Sequence, residues 1–414
     1  MPLRIKPKQT GKILIRNIRQ LVQVRPEPVG LLRGFAMNDL PVLENAYLLI
    51  ENGRIADFGR MEEMPVIHAD ETVDAAGRLV MPAWVDSHTH TVFAASRYGE
   101  FMDKIKGLSY AEIAAKGGGI LNSAKQLEAV PEDELLDRAL QRVLRMMQYG
   151  TGALEIKSGY GLSVNGELKM LRVIGRLKTL LPIPVKATFL GAHAIPEGMS
   201  KEDYMKVVLD EMLPEIASQN LADYVDIFCE KGYFNVTDLE LLAEKAGKYG
   251  LKLKAHVNQF TSLGGVATAV KHEALSVDHL EVMTETDFEA LERSETIATV
   301  LPGCSFFLKI PYAPAKRIIE RNIPLALATD FNPGSAPSWN MNFMVSLACI
   351  KQGLTPEQAI NAATVNAAAA MELSHEAGQI VRGMPARVFM TIPLNHYGEI
   401  PYYFATRPVD RIFY

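Results

Sequence analysis

Apolar and polar positions follow two different rhythms along this chain. Over residues 11–80 the apolar runs are short and broken by turn signals. LLIENGRIADFG (48–59) sets apolar positions on either side of Asn52-Gly53, the dipeptide favoured in two-residue hairpins. ETVDAAGRLVMPAW (71–84) adds a second strand pair about a turn near Ala76-Gly77. From residue 81 short β-rich runs alternate with long amphipathic stretches. The runs are MPAWVDS (81–87), GALEIKS (152–158), VKATFLG (185–191), YVDIFC (224–229), LKLKAH (251–256), ALSVDH (274–279), TIATVLPG (296–303) and PLALATD (324–330). EDELLDRALQRVLRMMQYG (132–150) and VTDLELLAEKAGKYG (236–250) carry helical periodicity and end in Gly. Strand alternating with helix predicts right-handed crossovers and a parallel sheet. Eight such strands over roughly 250 residues are what a (β/α)8 barrel needs. An open doubly wound sheet is the alternative, but no GxGxxG follows the first strand.

After the eighth run, LTPEQAINAATVNAAAAMEL (354–373) predicts one helix with Thr355 as N-cap and Pro356 in its first position. GQIVRGMPARVFMTI (378–392) then returns to β texture. The fold class expected is α/β: a (β/α)8 TIM barrel over 81–373. Residues 1–80 and 374–414 build one small β-sandwich-like domain from both chain ends, which often lie close together.

Composition narrows the function classes. Over 414 residues, 43 Lys and Arg against 48 Asp and Glu leave a net charge of −5. That lacks the basic excess of a general nucleic-acid binder. Three distant cysteines, Cys229, Cys304 and Cys349, form neither a disulfide framework nor a CxxC metal motif. They fit a reducing compartment. The segment MPLRIKPKQTGK has no apolar core of signal-peptide length, and no uncharged run approaches a membrane span. The expectation is a soluble, cytoplasmic protein with a small-molecule substrate, and neither nucleic acid nor membrane as partner.

In a barrel, chemistry sits at the C-terminal strand ends. His88 and His90 follow the first strand, His193 the third, His256 the fifth, His279 the sixth and Asp330 the eighth. His68, His272, His375 and His396 fall elsewhere. His88-Thr89-His90 puts two imidazoles on one side of an extended chain, because side chains alternate with period two. With His256 and Asp330 they make a set converging on the barrel axis. Three neutral imidazoles and one carboxylate suit Zn or Fe and leave room for a water. Taken singly, His256 reads as a core histidine and Asp330 as a helix cap; their shared barrel end is what favours a metal. A metal-activated water needs a proton acceptor, and Asp330 and His279 are the candidates. Cys304, with no visible basic partner, reads as a small packing residue.

The segments DSHTHTVFAASRYGEF (86–101), YAEIAAKGGGI (110–120), EIKSGYGL (155–162), TFLGAHAIP (188–196), HVNQFTSLGG (256–265), SVDHL (276–280) and ATDFNPGSAP (328–337) span nearly the whole barrel. Together they resemble the imidazolonepropionase family of the amidohydrolase superfamily. The resemblance implies a hydrolase of carbon–nitrogen bonds in cyclic amides. Its substrate would be 4-imidazolone-5-propanoate, opened to N-formimino-L-glutamate in histidine degradation. It implies one divalent or trivalent metal ion, Zn or Fe, held by His88, His90, His256 and Asp330. It implies catalytic roles for Asp330, His279 and His193, with His279 handling protons. It implies substrate contacts from Arg97, Tyr160, His193, Gln259, Asn332, Gly334 and Ser335, and suggests a homodimer. Where the family often reads His-Ala-Asp-Gln, this chain reads His256-Val257-Asn258-Gln259, one negative charge fewer beside the metal.

The residues support the same chemistry in their own terms. Arg97 offers a planar fork for a carboxylate, though a surface salt bridge is the equal alternative. Tyr160 lies in a Gly-flanked turn that presents a phenol to ligand, or else packs. Gly117-Gly118-Gly119 reads as a close-approach or covering loop, since no P-loop Lys follows. Lys157 lies on the second strand, not where a carboxylated bridging lysine would stand, so one metal is expected. Two alternatives remain at this stage: an aminohydrolase of a nucleobase-like ring, and a non-catalytic barrel used as a binding module.

Overall fold

The computed structural model describes residues 11–108, 112 and 118–414. Near the N-terminus, β1 (Lys12–Val22), β2 (Val42–Glu51) and β3 (Arg54–Arg60) form an antiparallel meander. Asn52 and Gly53 both take positive φ, 51° and 73°, and pair Glu51 with Arg54 across the tight turn expected from the sequence. β4 (Glu71–Asp74) and β5 (Arg78–Pro82) flank the Ala76-Gly77 turn, but they do not pair with each other. Both run parallel to β1, β4 beside Ile13–Arg16 and β5 beside Gln20–Leu21. β1 changes register between Ile15 and Ile18, where Asn17 has φ 58°, so each half of the bent strand takes its own partner.

From the other end of the chain, β14 (Val388–Pro393) joins β5 and β15 (Val409–Phe413) joins β14, both antiparallel. Both termini thus complete one seven-stranded sheet of order β15-β14-β5-β1-β2-β3, with β4 beside β1. Ile15, Ile18, Leu48, Ile50, Val80, Val388 and Phe413 form its buried core.

The eight parallel strands of the barrel run in sequence order: β6 (Trp84–Asp86), β7 (Thr151–Lys157), β8 (Val185–Ala192), β9 (Tyr224–Cys229), β10 (Lys252–Val257), β11 (Ser276–His279), β12 (Ile297–Val300) and β13 (Leu325–Leu327). The run at 81–87 is shared between the two sheets. Met81 and Pro82 end β5, and Trp84 begins the barrel, its buried indole against Phe389 of β14 at 5.5 Å. Between β6 and β13 the cylinder closes beyond the strand ends. Asp86 accepts from Thr329 N (3.0 Å) and Thr329 Oγ1 (2.7 Å). Asp330 N donates to His88 O (3.0 Å), and His90 N to Phe331 O (2.8 Å).

The helix Glu132–Gln148 buries Leu135, Ala139, Val143 and Met146 against the barrel and stops at Gly150, φ 99°. The expected single helix over 354–373 is two pieces, Pro356–Ala362 and Val365–Ala369. Thr355 caps the first piece as expected. The break has a cause: Ala363 O accepts from Val85 N of β6 (3.0 Å). Asn366, wholly buried, then accepts from Leu32 N (2.9 Å) and donates to Leu32 O (2.9 Å) and Leu325 O (2.9 Å). It joins the segment after β1 to the eighth barrel strand. Asn366→Ala orphans those buried backbone groups and is expected to cost about 3 kcal/mol. Denaturant unfolding should show the lower midpoint; an unchanged midpoint would place the docking elsewhere.

Candidate metal centre and substrate cavity

Closure of the barrel sets the site. The backbone bonds between the His88–His90 segment and Asp330–Phe331 bring side chains from the first and last strands together. Asp330 Oδ1 lies 3.5 Å from His88 Nε2 and 3.6 Å from His90 Nε2. Ligands at 2.0–2.2 Å from one ion at tetrahedral angles stand about 3.4 Å apart. His88, His90 and His256 each offer a ring nitrogen within 4.8 Å of the others. The His88–His256 ring centroids are 4.5 Å apart. Among the described residues, Nε2 of His88 and Nε2 of His256 have no hydrogen-bond partner, although both are buried. Buried polar atoms without partners are costly, and a cation satisfies them together. Burial pushes these three imidazoles well below the ordinary histidine pKa, and Lys157 adds to the shift at His88 and His256. They are therefore neutral, the form that ligates metal. The donor set fits a metal.

The opposite ring nitrogens are held from below. His88 Nδ1 meets Asp278 Oδ2 at 2.6 Å, and His256 Nδ1 meets Asp226 Oδ1 at 3.0 Å. Each carboxylate accepts the Nδ1 proton, fixing the tautomer that turns Nε2 toward the centre. Lys157 Nζ binds Asp226 (2.7 Å) and Glu155 (2.7 Å) and lies 3.4 Å from Asp278. Lys254 binds Glu155 from the other side. None of these five side chains has measurable exposure. Burial alone would lower the Lys157 pKa, but Asp226, Glu155 and Asp278 outweigh it and hold the ammonium charged. Sequence reasoning set Lys157 aside and missed Asp226, Asp278, Glu155 and Lys254. The signal was the charged residues set inside otherwise apolar strand runs.

Above these side chains opens a cavity of about 910 Å³. Arg97, Tyr160, His193, Gln259, Asn332, Gly334 and Ser335 all line it. His193 stacks on His90 with centroids 5.3 Å apart, and its Nδ1 meets Gly159 O at 2.9 Å. A carbonyl only accepts, so in the neutral ring Nδ1 carries the proton and Nε2 the lone pair. Burial pushes the His193 pKa down to about 4. His279 lies 5.3 Å from the His256 ring, with Nδ1 3.5 Å from Glu281 Oε2. Burial works against its charged form, but Glu281 outweighs burial and raises its pKa above the ordinary value. Burial pushes the Asp330 carboxyl up to about 6. His279 (φ 88°) and Asp330 (φ 55°) both adopt left-handed backbone, a sparse conformation for such residues that collects at functional sites.

The cavity wall resolves several choices the sequence left open. Arg97 Nε donates to Glu100 Oε2 (2.8 Å), and Glu100 Oε1 accepts from Gly119 N (2.9 Å). The guanidinium lies so close to Gly334 that any Cβ there would collide with it. Arg97 is thus both an ion-pair partner and a cavity cation. Asn332 spends its side chain inside its own loop, donating to Ser335 Oγ (2.8 Å) and accepting from Gly334 N (2.8 Å) and Ser335 N (2.7 Å). Tyr160 is buried, its ring 5.6 Å from His193. Gln259 Nε2 faces Cys304 Sγ at 3.3 Å, and Cys304 packs in a small apolar cluster as expected. The Asn258 side chain is turned to Asp287. Its Nδ2 donates to Asp287 Oδ2 (2.9 Å), where an aspartate would face a carboxylate. Of the glycine run, Gly117 lies outside the described residues, as does most of YAEIAAKGGGI.

Removing the ammonium beneath the histidines tests this arrangement. Lys157→Met leaves buried carboxylates uncompensated and should cost about 3–5 kcal/mol. It should also weaken metal binding by roughly 10–100-fold through the carboxylates that orient His88 and His256. Metal titration and denaturant unfolding read the two effects; unaltered metal affinity would remove Lys157 from the support of the site.

The architecture and sequence have known counterparts. A model of the amidohydrolase family matches residues 119–390. A curated imidazolonepropionase of Christiangramia forsetii is 53% identical over 403 residues, covering 97% of this chain and 98% of that protein. One from Bacillus cereus is 40% identical over 403 residues, covering 96% and 94%. Among solved structures, a zinc-bound adenosine deaminase from Xanthomonas campestris superposes with TM-score 0.69 at 16% identity, covering 98% of this chain and 92% of its own. A triazine hydrolase variant superposes with TM-score 0.72 at 13% identity, covering 97% and 93%. At such identities these two structures share the fold. The barrel closed at His88 and Asp330 and the full-length kinship agree: this chain belongs to the amidohydrolase family and, within it, to the imidazolonepropionases.

Proposed function

We propose that this chain hydrolyses the cyclic amide bond of 4-imidazolone-5-propanoate to give N-formimino-L-glutamate. The observation that carries the reading is the convergence of His88, His90, His256 and Asp330 beneath a cavity whose wall holds Arg97. The names of its full-length relatives point the same way. The four ligand side chains would hold one Zn or Fe ion, since this donor set suits both. Bound there, the metal would supply an activated water at neutral pH and polarise the substrate carbonyl.

The chain's own residues divide the remaining work. Arg97, its plane set by Glu100 and Gly334, grips the propionate carboxylate. His193 has only a lone pair at Nε2, so it accepts from a ring N–H and fixes the face of the ring. Asp330 takes the proton from the attacking water. His279, whose Nδ1 faces Glu281, keeps a proton to offer. It steadies the oxygen as negative charge develops, and the departing ring nitrogen receives the proton as the C–N bond breaks. Tyr160 and Gln259 close the cavity around the ring. This division assigns proton donation to His279 and substrate orientation to His193.

The deciding experiment follows loss of the imidazolone ultraviolet absorbance on adding enzyme, with an ammonia assay in parallel. Ring opening without ammonia is expected. Ammonia release would indicate a deaminase, and no turnover by the metal-loaded protein would sink the reading. Asp330→Asn should lower kcat by about a thousandfold or more, because it loses both the proton acceptor and an anionic ligand. Retention of most activity would remove Asp330 from proton transfer. Arg97→Ala should raise KM about tenfold or more while moving kcat less. An unchanged KM would mean the carboxylate is held elsewhere.

A further inference from the structure

A second group of ligand atoms lies beside the first. It joins His279 at the end of β11, Glu281 two residues on, and Cys304 in the helix Pro302–Leu308. Each contributes one nitrogen, oxygen or sulfur atom, all within 4.8 Å of one another, and all three residues are buried. His279 (φ 88°) and Leu280 (φ 68°) turn the chain sharply, and Glu281 comes back toward the His279 ring. Glu281 Oε1 is occupied by Ser305 Oγ at 3.1 Å. Glu281 Oε2 and His279 Nδ1 face each other at 3.5 Å and have no other partner within hydrogen-bond geometry among the described residues. This buried pair and a thiol therefore lie together, with the cavity-lining Gln259 against the thiol.

The chemistry of the three groups selects their ligand. Thiolate, imidazole and carboxylate together favour a soft or borderline cation such as Zn²⁺ over Mg²⁺ or Ca²⁺. Their charges, two negative and one neutral, balance a divalent ion. Cys304 is buried in a small apolar cluster, where a bound cation is what stabilises a thiolate.

We propose that His279, Glu281 and Cys304 form a second, inhibitory site for a soft divalent cation. The ion enters, the Cys304 S–H and the His279 Nδ1–H each give a proton to solvent, and the ion is held by sulfur, ring nitrogen and carboxylate oxygen with no change of oxidation state. Its inhibitory effect rests on the role proposed above for His279, whose ring it withdraws from proton handling. Its binding does not.

The test starts from enzyme carrying one equivalent of metal, to which Co²⁺ or Zn²⁺ is added. A second equivalent should bind. With Co²⁺ it should bring a thiolate-to-cobalt absorption in the near ultraviolet, which a site of three histidines and an aspartate cannot produce. Turnover should fall about tenfold or more as the second equivalent fills, since the general acid is lost. Cys304→Ser should retain the first equivalent and lose the second, along with the absorption. Glu281→Gln provides the same reading should that variant misfold, with second-ion affinity reduced about tenfold or more. Uptake of one equivalent only, or of a second without the thiolate band, overturns the proposal. The absorption and stoichiometry are read without substrate, so an enzyme that fails to open the imidazolone ring still decides this point.

Discussion

Everything at the site stands on one buried ammonium. Lys157 sits among Glu155, Asp226 and Asp278 with no access to water. Three carboxylates confined there would repel one another and take up protons. With Lys157 and Lys254 between them, two stay available to accept hydrogen bonds from the Nδ1–H groups of His88 and His256. The histidine lone pairs then point upward into the centre. Charge, tautomer and ligand direction therefore follow from one ion pairing on the inner wall of the barrel, with a large desolvation cost balanced by a network rather than a single pair.

The small sheet serves that arrangement indirectly. β5 passes into β6 through Ala83, so the first barrel strand starts from a position fixed by strands at both chain ends. Trp84 packs on Phe389 at this junction, and Asn366 ties the segment after β1 to β13. The eighth strand has only three residues, and its seam with the first is closed by Asp86, His88 and His90 acting on Thr329, Asp330 and Phe331. The same backbone bonds that close the cylinder hold His88, His90 and Asp330 together.

Much of this was legible along the chain, and the limits have physical causes. Period-two spacing put His88 and His90 on one face, and the strand-end rule brought His193, His256, His279 and Asp330 to one rim. The Asn52-Gly53 hairpin and the Thr355 cap followed from local backbone preferences. The carboxylates beneath the histidines did not show themselves, because a strand pattern gives a face but not a partner. Asp278 and His88 stand 190 positions apart. The helix over 354–373 reads as continuous since its composition favours one. Its break comes from Val85, a barrel residue that takes the Ala363 carbonyl. The pairing of β4 and β5 was hidden for a similar reason: the bend at Asn17 lies in another strand. Asn258 read as a lost charge until Asp287, on a neighbouring helix, showed why an amide is there.

The bond from Asp330 N to His88 O also imposes an order in time. His88 and His90 leave the ribosome early, and the residue that completes their set follows only after almost the entire barrel has been made. Domains fold as units during synthesis, from the N-terminal side onward. A nascent chain can therefore offer imidazoles to a metal but cannot enclose it until the last strand has docked. A chain that stops short of β13 carries the imidazoles without the carboxylate and without the seam that encloses them.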